Sequence, residues 1–175
     1  MKVGVLIAVL SLAAPLAQAT LADHYDTSKR ASFAGTIDAI IMPPGELPVC
    51  FVMTIQNSGK SEQWVVAGDT FPVLRKAGWR LGPAGQVKPG VSATVSVFLP
   101  KPRSTAAQTL GARLRETMPT GISAVADAAL KAGRLAQGIE VKLADGQTLP
   151  FGPGQGDRPN RATTRRPQAR AVPGS

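Results

Sequence analysis

Residues 75–97 read RKAGWRLGPAGQVKPGVSATVSV, and two changes of pattern inside them decide the fold. Gly78 stands where a short helix has to stop, and Trp79 follows it, placed to fold back on that helix as an apolar C-terminal contact. Gln86–Gly90 then make a turn into residues 91–99. There Val91, Ala93, Val95, Val97 and Leu99 alternate with Ser92, Thr94, Ser96 and Phe98, so a strand with one core face and one mostly wet face is expected.

Working outward, the helix upstream starts at Asp69 or Thr70 as cap, with Pro72 in its first turn and Phe71, Leu74 and Ala77 on one face. Before it, residues 33–42 and 48–56 read as strands. The turn Asn57-Ser58-Gly59-Lys60 leads into a third strand, 62–67, completing a meander. Downstream, residues 139–143 alternate as a last strand, and Asp145-Gly146 turns into Thr148–Phe151. Between these strands, residues 104–118 and a stretch carrying Ile122, Val125, Ala126, Ala129 and Leu130 at helical spacing predict an inserted αα-hairpin ended by Gly133.

The N-terminus, MKVGVLIAVLSLAAPLAQA, has one cation, an apolar run and an Ala17-Gln18-Ala19 cleavage signal. Export with cleavage after Ala19 is expected, giving a periplasmic protein. A cut after Ala22 is the other option. The run is too short to span a bilayer, and no transmembrane segment is expected after cleavage. The one cysteine, Cys50, lies in an apolar stretch and reads as a buried small hydrophobe.

The chain from Thr20 holds 19 Lys plus Arg against 11 Asp plus Glu. Half of that excess sits in residues 152–175, a Pro/Gly/Arg-rich tail with five arginines and one aspartate, read as disordered. Such a tail suits an anionic envelope surface better than nucleic acid, because it lacks interleaved aromatics. The domain proper is then 20–151.

Five strands with a short helix between the third and fourth are the order of a small OB-like β-barrel, with the helical insert at about 101–134 before the last strand. His24, Gly35-Thr36, Trp64, Leu74–Trp79, Lys88-Pro89-Gly90 and Leu143-Ala144-Asp145-Gly146 resemble an uncharacterised family of small exported bacterial proteins, a domain of unknown function. That family carries an Asn-Pro-His turn where this chain has Met42-Pro43-Pro44, so any role of the family's second histidine is missing here.

For chemistry, Asp23, His24 and Asp26 are the metal-ligand candidates, suited to copper or zinc, but tight sites want three or four converging ligands. A lone histidine in a segment read as mobile, with no Gly-x-Ser-x-Gly elbow and no phosphate loop, argues against an enzyme and against a cofactor. The remaining candidates for a ligand surface are Trp64 and Trp79 as stacking platforms, with Arg75, Lys76, Arg80 and Lys88 making the Gly-Trp junction basic. The competing role for both tryptophans is core. The expectation is a non-enzymatic binding or interaction module for an unidentified periplasmic ligand or protein. Metal handling through Asp23-His24 and envelope docking through the tail stand as alternatives.

Overall fold

A computed structural model describes residues 21–118 and 120–153. The proposed signal segment and the tail beyond Pro153 lie outside them. The element order is α1 (Leu21–His24), β1 (Ala31–Ile41), β2 (Pro48–Asn57), β3 (Lys60–Thr70), α2 (Phe71–Lys76), β4 (Ser92–Phe98), α3 (Ala106–Thr117), α4 (Ala124–Lys131), β5 (Leu135–Leu143) and β6 (Thr148–Pro150). Antiparallel neighbours run β3-β2-β1-β4-β5, and β3 pairs with β5 in parallel to close the cycle. This is a closed five-stranded mixed barrel of OB-like type with one extra strand, β6, on the second half of β5.

Alternation places every other strand residue inside. Val49, Phe51 and Met53 of β2, Val66 of β3, Ala93, Val95 and Val97 of β4 and Val141 of β5 fill the interior. β1 keeps this rule only to Ile37. A bulge between Ile37 and Ala39 shifts the phase, so that Ile40 points in while Ala39 and Ile41 join a second cluster outside the barrel.

That second cluster explains the insert. Cys50 and Val52 of β2 and Val65 and Ala67 of β3 point outward yet are fully or almost fully buried. Leu110 and Leu114 of α3 and Ala126, Ala129 and Leu130 of α4 lie over them. The hairpin therefore packs on the outer wall of β2 and β3, and Cys50 is buried as its apolar surroundings imply. Ser123 caps α4 by accepting from the Ala126 amide at 3.2 Å. Asp127 binds Lys131 one turn on at 2.6 Å and reaches Arg115 on α3, tying the two helices together.

One end of the barrel is sealed as residues 75–97 suggest. Gly78, at φ +91°, continues the chain past α2, and the Trp79 amide donates to the Leu74 carbonyl at 3.1 Å, the Schellman bond. Leu74, Trp79 and Val87 enter the interior cluster. Phe151 stacks on Phe51 with centroids 4.3 Å apart. Its ring occupies the space that side chains at Gly68 and Gly138 would need. Where β3 leaves β5, buried Gln137 donates from Nε2 to the carbonyls of Ala67 at 2.8 Å and of Gly138 at 3.3 Å, satisfying main chain that the ladder drops.

Several boundaries differ from the sequence reading. β5 begins at Leu135 rather than Ile139, because its first residues are buried on both faces and do not alternate. β3 runs on through Gly68–Thr70. Thr70 occupies the N-cap of α2 but makes no side-chain cap bond, and Asp69 instead accepts from the Thr70 amide at 2.7 Å. The segment holding His24 is not loose. The Asp26 amide donates to Leu99 and the Lys101 amide to His24, at 3.0 and 2.8 Å, and the Lys101 ammonium reaches the Ala22 carbonyl.

Candidate functional site

The barrel has two ends, and β3 runs from one to the other over 11 residues, roughly 35 Å at strand rise. Trp64 is the fifth of those residues, and the α2 cap lies beyond the strand's finish. The six residues proposed as a ligand surface are thereby separated. Trp79 is only 4% exposed and donates from its indole to the Pro150 carbonyl at 2.6 Å, so both its faces and its polar edge are used inside the cap. It is a core residue and not a stacking platform. Arg75, Lys76, Arg80 and Lys88 are exposed on the outside of that cap, and Arg75 and Lys76 flank the exposed Phe71 and Pro72. None of the four cations makes an ion pair among the described residues.

The metal candidates do not converge. Asp26 spends its carboxylate on Ser28, accepting from its hydroxyl at 2.5 Å and its amide at 3.2 Å, and these bonds hold its carboxyl pKa below the usual carboxylate range. His24 offers its carbonyl to Lys101 from α1, where Asp23 also lies. Among the described residues no three His, Cys, Asp or Glu side chains gather as a ligand set.

Trp64 stands differently. Its ring is half-buried at the open end, tilted by 58° against Phe33 with centroids 4.9 Å apart. The indole N–H donates to Glu62 at 3.2 Å, and the Asn57 amide shares that same carboxylate oxygen at 3.4 Å. Both bonds hold the Glu62 carboxyl below its ordinary range, with the indole contributing most. Trp64 is thus fixed by its polar edge while its ring fronts a recess of about 260 Å³. Phe33, Ile55 and Leu99 supply the apolar lining, with Ser32, Gln56 and Asn57 at the polar rim.

The reason for the recess lies in the register. β1 pairs with β4 from Ala31 onward, but with β2 only from Gly35↔Ile55. Before that point the two strands part, and the recess occupies the opening. Gly35 marks the divergence, where any side chain would collide with the Thr54 carbonyl. The sequence reading singled out Trp64 but missed Phe33, Ile55, Gln56 and Asn57, since nothing local in composition shows where two strands stop pairing.

In OB folds the outer β2–β3 face commonly receives ligands. Here α3 and α4 cover it. The Trp64 recess is a concavity in which aromatic surface and uncharged hydrogen-bonding side chains meet. No protein-family model matches the chain, and no curated protein or solved structure matches it either.

Proposed function

We propose that this protein is an exported, non-enzymatic binding module of the periplasm, belongs to the uncharacterised family it resembles, and holds its ligand at the Trp64 recess. The observation that carries this reading is the opening between β1 and β2, floored by the Phe33–Trp64 pair and edged by Ser32, Gln56 and Asn57. A site of this kind combines apolar area with a few placed polar groups, the usual composition of a ligand pocket. A tryptophan wholly committed to packing would be sealed like Trp79, whereas Trp64 keeps part of its ring in contact with solvent.

Native mass spectrometry of the protein purified gently from its own periplasm tests it. An adduct carried by the wild-type chain and lost from Trp64→Ala is the expected result. An adduct that survives Trp64→Ala, or a wild-type protein that is bare throughout, removes the recess as the binding site.

A further inference from the structure

The recess is bounded by main chain as much as by side chains. N-terminal to Gly35, β1 has only β4 as a ladder partner, and C-terminal to Ile55, β2 has only β3. Ser32–Ala34 and Gln56–Asn57, the two parted edges, both line the recess. A strand edge without a neighbour presents amide and carbonyl groups in the spacing of a missing strand. Proteins use such edges to take up an extended peptide, main-chain bonds giving affinity and pockets for alternate side chains giving selectivity. The Phe33–Trp64 pair supplies one such apolar pocket.

Charge around the opening favours one kind of peptide. Arg30 precedes β1, Lys60 opens β3, Lys101 follows β4 and Arg134 precedes β5, so four separate connections each deliver a cation to this end. With Lys29 and Arg103 they outnumber its carboxylates, Asp23, Asp26 and Glu62, by two to one. The chain's own tail, with five arginines and one aspartate, carries the same sign as this rim and is a poor occupant.

We infer that the opening between β1 and β2 takes an extended, acidic segment of a partner protein as an added strand, seating one of its apolar side chains on Phe33 and Trp64. The inference rests on the recess being the binding site and names the class of its ligand.

An end-blocked eight-residue peptide of alternating glutamate and valine serves as the probe. Its lysine–valine counterpart and a version N-methylated on alternate amides serve as comparisons, all read by NMR on the full mature chain. The glutamate peptide is expected to shift the Trp64 indole signal and to slow amide exchange in residues 32–34 or 56–57 by about tenfold or more. The lysine peptide should bind about tenfold more weakly, and the exposed charge reversal Lys60→Glu should narrow that preference without touching the fold. The N-methylated peptide, lacking half its donors, should not protect the amides. Indole shifts without slowed exchange, or equal binding of the N-methylated peptide, overturn strand addition while leaving the recess a binding site. The absence of any shift with the glutamate peptide overturns strand addition by acidic segments outright, whereas loss of the recess itself would appear in the Trp64→Ala adduct experiment.

Discussion

Cys50 and Tyr25 are two ionisable side chains in the cluster between the barrel wall and the inserted helices. Burial pushes the Cys50 thiol from its ordinary value near 9 up to about 12. Tyr25 is raised as well, first by burial and then by the neighbouring thiol. In both cases the folded chain holds its proton at a pH where the unfolded chain has lost it. Stability is therefore full below about pH 9 and declines as pH climbs towards the folded value, by up to about tenfold in the folding constant per unit from Cys50 alone. Urea midpoints at pH 8, 9.5 and 10.5 should fall in that order, and Cys50→Ala should flatten the first step because tyrosine ionises later. A midpoint unchanged up to pH 10.5 would show that the thiol is not sealed as described.

At the scale of elements, the inserted hairpin is the wall's outer cover. Leu114 of α3 is fully buried, and its replacement by alanine should cost about 2–5 kcal/mol. The same change loosens the cover over β2 and leaves the interior untouched, so the Cys50 thiol should react faster with an aromatic disulfide reagent while near-ultraviolet signals from Trp79 and Phe51 persist. Loss of those signals at unchanged thiol reactivity would mean that the hairpin supports the interior and not the face. The hairpin was legible from helical spacing at Ala126, Ala129 and Leu130, although Ile122 lies ahead of α4 and Val125 is exposed, and β4 from its alternation through Val97, with Leu99 past its end and exposed, because each has one wet and one dry side. Leu135–Gly138 were not, since a strand wedged between the interior and α4 is buried on both faces, Gln137 included, and shows no wet and dry alternation. The phase shift at Asp38 and the parting of β1 from β2 were also hidden. Both depend on which residues face each other across strands, and Phe33 or Asn57 looks the same in sequence whether or not a partner lies opposite.

Closure of the whole molecule depends on segments far apart in the chain, and the N-terminal one decides where processing can occur without loss. Leu21 packs against the outer cluster and offers its carbonyl to the Tyr25 amide at 3.0 Å, and the Ala22 carbonyl receives the Lys101 ammonium. Cleavage after Ala19 keeps all three contacts; cleavage after Ala22 removes them. Partial burial of one leucine and one main-chain bond together are worth about 1–2 kcal/mol. If the chain is exported as proposed, its mature form is expected to begin at Thr20, read as its intact mass. A recombinant chain starting at Asp23 should melt about 3–8 °C below one starting at Thr20. Tyr25, no longer held by Leu21, would transmit the loss to the Cys50 cluster, so the shorter chain should also show faster thiol labelling. Equal melting of the two chains would place α1 outside the cooperative unit, and processing at either alanine would then be of no consequence to the barrel.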